Sequence, residues 1–288
     1  MSLYSYSPPE KLDSPVLIAS LRGWVDAAGV GSAAAEHLSG HGPVVAEFDG
    51  DQLFDYRSSR PVVDFIDGHL RKLEWPELVV QYRRIGGRDL LILRGTEPDL
   101  RWRAFSSAVS ALAASAGVSE FIAIGSVPAP VPHTIATPLM MTSPDSDLLV
   151  DDTRTPEGLL RVPGAALTVL SHRLSSDGIP ARGYWAQVPQ YVNGPFYQGV
   201  IVLLERIADR LGIAIPLDTL PEEALQQREH LDGIVSSRPE IQKVVEKLEE
   251  IAEQGDEIPT ADEIGSQVEQ FLREASDDGG DPFRSEGP

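Results

Sequence analysis

The chain has 288 residues, and its 24 lysines and arginines stand against 44 aspartates and glutamates, a formal net charge of −20. Such an acidic excess argues against nucleic acids and anionic membrane surfaces as partners, because both require a basic face. The chain contains no cysteine, which excludes disulfides, thiolate nucleophiles and cysteine-based metal sites.

Short apolar runs alternate with longer helical patterns over the first 215 residues. The runs predict six buried strands, at Val16–Ser20, Val44–Phe48, Leu78–Tyr82, Leu90–Leu93, Phe121–Ile124 and Tyr184–Val188. Helices are predicted at Asp26–Leu38, Asp99–Ala116, a stretch that starts near Gly164, and Pro195–Leu211. This alternation is typical of an α/β sheet covered on both faces. Gly86 and Gly87 predict a hairpin turn, so we expect a mixed sheet.

The negative charge is concentrated in the last quarter of the chain. Residues 1–217 hold 24 acidic and 18 basic residues, whereas residues 218–288 hold 20 acidic and 6 basic residues. We therefore predict an α/β domain over 1–216, an acidic helical subdomain over 217–275 and a disordered tail over 276–288.

Neither a secretion signal nor a transmembrane segment is recognisable in the sequence. Residues 1–10 are polar and lack the apolar centre of a signal peptide. No apolar run approaches the roughly 18 residues that a membrane-spanning helix needs. We therefore expect a cytoplasmic protein that has neither a nucleic acid nor a membrane as its partner.

Polar, glycine-rich and proline-rich loops follow four of the predicted strands. In open α/β sheets the ligand crevice lies beyond the carboxyl ends of the parallel strands. If these four strands are parallel, their loops meet at one rim of the sheet. The candidate crevice residues on these loops are Gly23, Trp24, Asp26, Gly95, Glu97, Pro132, His133, Thr134, Gln190 and Tyr191.

His133 is the best single candidate for chemistry, because an imidazole titrates near neutral pH. Asp26 and Glu97 are the carboxylates that we expect to be able to orient it, although no catalytic residue is firmly assigned. A structural role is the competing interpretation, in which His133 only bonds to a neighbouring loop and holds the proline-rich turn. Glu97 has a similar alternative as a turn residue before Asp99, which would cap the next helix.

Other motifs in the chain carry little functional information. Gly29, Gly31 and Ala34 imitate a dinucleotide fingerprint, but they begin about eight residues after the strand and are better explained as packing positions in a helix. Trp24 is expected to be partly exposed at a ligand site or subunit interface, whereas Trp102 lies on the apolar stripe of its helix. No metal site and no cofactor are predicted.

Four segments, LRGWVDAAGVGSAAAEHL, LRGTEPDLRW, VPHT and VPQY, occur in this order along the chain. Together they resemble the PAC2 family, the proteasome assembly chaperone 2-like proteins, in its actinobacterial branch. The resemblance covers roughly residues 10–275. It implies a phosphorylase/hydrolase-like three-layer α/β/α fold with a mixed sheet, plus a small C-terminal helical subdomain.

The chain departs from the family pattern at two places. Family members often carry Val-Pro-His-Tyr at the second Val-Pro motif, where this chain has Gln190 before Tyr191, so a histidine pair across the crevice is missing. Members that dock on proteasome α-rings can use a C-terminal hydrophobic–Tyr–X tail, which the final residues 285–288 do not match.

The resemblance implies a protein-binding or assembly-chaperone role, with proteasome subunits as partners. We expect a homo-oligomer, and a trimer is one of the oligomer sizes that we consider. An enzyme is the less favoured interpretation. The alternative function is a small-molecule hydrolase or ligase-like enzyme that uses the strand-end crevice with His133 and a carboxylate. The ligase label given to some family members finds no supporting residues in this sequence.

Overall fold

The computed structural model describes residues 3–9, 11–149, 155 and 158–254, and a large mixed sheet lies at its centre. The strands are β1 (Tyr4–Tyr6), β2 (Val16–Arg22), β3 (Val44–Phe48), β4 (Val62–Ile66), β5 (His69–Glu74), β6 (Leu78–Ile85), β7 (Arg88–Thr96), β8 (Glu120–Ala129), β9 (Leu139–Thr142) and β10 (Ala181–Pro189). The helices are α1 (Val30–Ser39), α2 (Gly50–Leu53), α3 (Trp102–Ala116), α4 (Ala166–Ser176), α5 (Tyr197–Leu211), α6 (Leu220–Ser237) and α7 (Pro239–Gln254).

Eight strands form the main sheet in the order β1-β3-β6-β7-β2-β8-β10-β9. The four central strands β7, β2, β8 and β10 are parallel, and the outer strands pair antiparallel. All nine residues of β10 are buried, as expected for a parallel strand that is covered on both faces. Strands β4 and β5 form a separate two-stranded hairpin.

Helices cover both faces of the sheet and complete three layers. Helices α1 and α5 pack with one apolar cluster, and α3 and α4 pack with the other. The stripe of α5 that faces the sheet is fully buried and consists of Val200, Leu203, Leu204 and Ile207. These layers confirm the predicted α/β fold class with its mixed sheet.

Two helix starts differ from the sequence-based expectation. A short 3₁₀ turn at 27–29 precedes α1, and Gly29 with φ +64° takes the N-cap position, three residues after the predicted start of the helix at Asp26. Helix α3 begins at Trp102 behind Arg101, which has φ +57°, and not behind Asp99. The Asp99 carboxylate instead accepts the backbone N–H of Asp55, 44 positions earlier in the chain, at 2.9 Å.

Four elements were not predicted: β1, β9, the one-turn helix α2, and the β4–β5 hairpin. Three of them have four residues or fewer, which is too short for a hydrophobic period to show. Every residue of the hairpin strands is exposed, and charged side chains interrupt both strands. The hairpin therefore lacks the buried pattern that marks a strand.

Helices α6 and α7 follow the α/β layers, and α6 packs beside α5. They occupy the first part of the segment over which a helical subdomain is predicted. The remainder of that segment and the predicted tail at 276–288 lie outside the described residues. Among the residues that the structure describes, no helix combines the length and apolarity needed to cross a membrane.

Candidate functional site

The loops after the four parallel strands leave the same edge of the sheet, which we call the rim. Asp26 lies on the first of these loops and is half-buried beside α1. Its carboxylate accepts the backbone N–H of Ser32 at 3.1 Å and also the Ser32 hydroxyl. Burial raises the pKa of Asp26, and the hydrogen bonds from Ser32 and Gly31 partly offset that rise. Asp26 thus supplies the negative charge that the first turn of α1 favours.

Glu97 joins two segments of the rim through its two carboxylate oxygens. Its Oε2 accepts the backbone N–H of Trp24 at 3.1 Å, and its Oε1 accepts that of Ala166 at 2.6 Å. Ala166 is the first residue of α4, whose early N–H groups lack partners within the helix. A Cβ at Gly23 would lie 2.4 Å from Oε2, so this close approach requires glycine. Glu97 is therefore a tie between the loop after β2 and the start of α4.

We expect Glu97→Ala to lower the free energy of unfolding by about 1–3 kcal/mol, because it leaves two backbone donors without their acceptor. Thermal or urea unfolding of the purified protein measures the change. Glu97→Gln is the matched control. Its single amide oxygen keeps one of the two hydrogen bonds, so we expect it to lose about half as much stability as the alanine variant. Equal stability of the alanine variant and the wild type would contradict the tie.

Two further rim residues, Trp24 and Gly95, have distinct environments. The Trp24 side chain is 65% exposed, although its backbone is tied to Glu97. Gly95 is buried with φ +136°, and a Cβ there would lie 2.0 Å from the carbonyl oxygen of Glu77. Trp24 is therefore available for contact with another molecule, whereas the backbone at position 95 requires glycine.

His133 is only 2% exposed and lies in the middle of a short hydrogen-bonded chain. Its backbone N–H donates to Tyr191 Oη at 2.8 Å, and its Nδ1 lies 2.7 Å from the same oxygen. Its Nε2 lies 3.1 Å from Asp232 Oδ1 on α6. Because the Asp232 carboxylate can only accept, we assign the ring hydrogen to Nε2, which donates to Asp232, so that Nδ1 of the neutral imidazole accepts from the Tyr191 hydroxyl.

The residues next to His133 extend this contact. Pro132 is buried, and the Thr134 hydroxyl donates to the Glu249 carboxylate on α7. Gln190, in the position where family members often carry histidine, is exposed and has its side chain in solvent. The rim is therefore covered at His133 and Thr134 by helices α6 and α7.

The ionisation states of His133 and Tyr191 follow from their burial. Burial lowers the pKa of His133, and the attraction of the Asp232 carboxylate opposes that effect without cancelling it. Burial, together with the nearby charges of Glu249 and Asp232, raises the pKa of Tyr191 to about 12. At neutral pH the imidazole is uncharged and the phenol keeps its proton, so Tyr191 is not an activated nucleophile.

The predicted pairing of His133 with Asp26 or Glu97 is wrong. Asp26 is bonded to Ser32, and Glu97 is bonded to two backbone amides, so the three candidates lie in different environments. The carboxylate at His133 is Asp232, 99 positions later in the chain. The sequence did not reveal Asp232 as the partner, because a solvated helical pattern does not show where its helix packs. The acidic composition beyond residue 217 was the one available signal.

A cavity of about 1260 Å³ opens on the other flank of the rim. None of the ten candidate crevice residues lines it, although their neighbours Arg22, Arg94 and Thr96 do. The hairpin contributes Val62 and Glu74 to its wall. Within the described ranges, no cluster of three or more His, Asp or Glu side chains is placed to hold a metal ion.

Comparisons with known proteins agree with this architecture. The model of the PAC2 family matches residues 20–235. A PAC2 family protein from Streptomyces avermitilis is 33% identical, with a TM-score of 0.72 over 80% of this chain and 99% of that one. A Mycobacterium tuberculosis protein of unknown function is 32% identical, with a TM-score of 0.83 over 94% of this chain and 92% of that one.

A second Mycobacterium tuberculosis structure, a proteasome-assembly chaperone homologue, is 29% identical with a TM-score of 0.73 over 80% of this chain and 99% of that one. No curated protein matches the chain. The family match includes all four segments on which the resemblance rests. Since the family model covers well over half of the sequence and the mixed sheet agrees with it, the chain belongs to the PAC2 family.

Proposed function

We propose that this chain is a protein-binding assembly factor that associates with a second copy of itself through the β4–β5 hairpin. The single observation that carries the proposal is an uncovered apolar face on that hairpin. The register pairs Val63 with Leu73 and Phe65 with Leu70, which places all four side chains on one face. They are 44%, 47%, 64% and 56% exposed, in the order just given.

A hairpin of this kind is poorly stable by itself. A two-stranded sheet in water is marginal unless an apolar face packs against something else. The opposite face carries Asp64, paired with Lys72, and its neighbours Val62 and Glu74 line the cavity. The apolar face therefore lies on the side of the hairpin away from that cavity, and it is the part that a partner would cover.

The charge of the hairpin favours a second copy as the occupant. Residues 62–74 contain three acidic and two basic residues, a net of −1, within a chain whose formal net charge is −20. The acidic last quarter of this chain would repel another copy, whereas this near-neutral face meets one at little electrostatic cost. The number of copies is not fixed by this proposal, which includes cyclic assemblies such as a trimer.

Proteasome subunits are the partner class that the relatives support. The similar Mycobacterium tuberculosis structure is described as a proteasome-assembly chaperone homologue. In this chain the exposed indole of Trp24, held at the rim through Glu97, is the residue that we propose contacts the partner. A cytoplasmic location is part of the same proposal.

The enzyme alternative receives less support from the geometry. His133 is buried beneath α6, and its ring nitrogens contact Tyr191 and Asp232 in place of the carboxylates expected for it. Its placement is better explained by the structural role that the sequence also allowed.

We expect Phe65→Asp to weaken self-association at least about thirtyfold, because burying one aromatic anchor at an interface contributes 2 kcal/mol or more. Sedimentation velocity over a concentration series measures it. Ile66→Asp is the matched control, since Ile66 is 56% exposed but pairs with His69 on the other face. A wild type that stays monomeric, or equal weakening by both variants, would refute the hairpin interface.

The assembly role has its own test. Purified α- and β-type proteasome subunits from the source organism are mixed with and without this chain, and half-proteasomes are counted by native mass spectrometry. We expect faster formation with the wild type and loss of the effect with Trp24→Ala. Trp75→Ala, at an exposed tryptophan near the base of the hairpin, is the control. Identical assembly rates with and without the chain would disprove the role.

A further inference from the structure

We propose that the apolar face of the β4–β5 hairpin is covered by residues 158–164 of a neighbouring copy, an inference that rests on the self-association proposed above. We call these seven residues the 158–164 segment. The contact joins two different surfaces, so each copy offers one surface of each kind. Such a contact is heterologous, and its repetition produces closed rings or open chains.

The 158–164 segment is an apolar stretch that its own chain leaves exposed. Its sequence is GLLRVPG, and every one of its residues is exposed. Leu159, at 88%, is the most exposed large apolar side chain in the described part of the chain. Leu160 and Val162 are 53% and 60% exposed. Three exposed aliphatic side chains within four positions are typical of a surface that contacts another protein.

The backbone of the 158–164 segment has the form of a peptide ready to be bound. It lies in neither a helix nor a strand, and none of the backbone hydrogen bonds between described residues involves it. Pro163 has a fixed φ and restricts Val162 to extended angles. A segment that is already restricted loses less conformational freedom when a partner orders it.

The hairpin and the 158–164 segment do not cover each other within one chain. Phe65 and Leu159 are both exposed in the same structure. The hairpin leads into β6, whereas the segment leads into α4, which packs on β10. Three strands, β7, β2 and β8, separate β6 from β10 in the sheet. A contact between the two surfaces therefore forms between copies.

The charges of the two surfaces are opposite. Arg161 is the one charged residue of the 158–164 segment, which gives the segment a net charge of +1. The hairpin residues 62–74 have a net charge of −1, from three acidic and two basic residues. In a chain whose formal net charge is −20, an exposed apolar stretch with a positive charge is suited to meet another copy.

Charge also distinguishes this segment from an exposed apolar side chain elsewhere. Leu225 is 58% exposed on α6, which has four acidic residues and one basic residue. That acidic surface would repel the acidic hairpin of another copy. Leu225 is therefore an exposed leucine at which we expect no contact with the hairpin, and it provides the control for the segment.

Sedimentation velocity of the full chain over a concentration series tests the segment. We expect Leu159→Asp to weaken self-association at least about tenfold, because it places a carboxylate without a partner against an apolar face. Leu225→Asp adds the same charge outside the contact and should associate as the wild type does. Val162→Asp, with the same expected loss, is the second variant should circular dichroism show that the Leu159 variant is misfolded. Wild-type association of a folded segment variant would overturn the proposal.

A mixture of two weakened variants tests whether the hairpin and the segment meet each other. Phe65→Asp keeps an intact segment and Leu159→Asp keeps an intact hairpin, so we expect a 1:1 complex at concentrations where each variant alone is monomeric. Fluorescent labelling of the Phe65 variant reveals that complex in the sedimentation profile. Absence of the complex, although the wild type associates, would refute the pairing.

The same measurements separate this inference from the self-association on which it rests. If Phe65→Asp weakens association and Leu159→Asp does not, the hairpin meets another surface, such as the hairpin of the second copy. The pairing with the segment then fails, whereas the hairpin interface stands. If Phe65→Asp has no effect, the hairpin interface itself is wrong, and the pairing fails with it.

Discussion

Gly95→Ala is expected to lower the free energy of unfolding by about 3–5 kcal/mol, through backbone strain together with overpacking. Gly95 has φ +136°, and an added Cβ would lie 2.0 Å from the carbonyl oxygen of Glu77. That oxygen also accepts the N–H of Thr96 at 2.8 Å, so Glu77 has no freedom to move away. Urea unfolding followed by circular dichroism measures the loss.

Gly87→Ala separates strain from crowding. Gly87 also has a positive φ, +83°, but an added Cβ would meet nothing within 4 Å. Its substitution should cost about 1–2 kcal/mol, the cost of the left-handed conformation alone. If the two alanine variants lose the same stability, the close approach at Glu77 has no energetic consequence and the argument for Gly95 fails.

Glu120→Ala is expected to cost about 3–5 kcal/mol, because it leaves a buried guanidinium without its counter-charge. Glu120 Oε1 lies 2.8 Å from Arg182 Nε, a close ionic contact outside hydrogen-bond geometry. Arg210 Nη2 lies 3.0 Å from Glu120 Oε2. Arg182 is only 5% exposed, so water does not replace the lost carboxylate. Chemical unfolding of the purified variant measures the change.

Two controls accompany the Glu120 variant. The double variant Glu120→Leu with Arg182→Met should recover much of the loss, because an apolar pair avoids the desolvation of both charges. Glu77→Ala removes the exposed ion pair with Arg94, 3.0 Å apart, and should cost no more than about 1 kcal/mol through that pair. A loss at Glu120 as small as that at Glu77 would show that the buried network contributes little.

The rim and the hairpin have different physical characters, and each bears on function. At the rim, the side chains of His133 and Glu97 form their hydrogen bonds with other parts of the same chain. At the hairpin, the side chains of Phe65 and Leu70 are more than half exposed. Residues that are satisfied internally stabilise a fold, whereas uncovered apolar residues favour association. The contrast supports the role in protein binding that we propose.

The sequence by itself determined the α/β class, the mixed sheet and its central strands. Runs such as Val16–Ser20 and Tyr184–Val188 are apolar at all but one position because parallel central strands are buried on both faces. The ordered motifs also identified the PAC2 family, because their residues are close together in the chain and can be recognised without a structure.

Only the tertiary structure decided which side chains meet. Asp232 reaches His133 across 99 positions of sequence, and Glu97 reaches Ala166 across 69. The hairpin was invisible for a related reason, since Val63 and Phe65 form an apolar face only once Leu73 and Leu70 are paired beside them. Periodicity reports the burial of one segment at a time, whereas a contact between segments depends on how each of them packs.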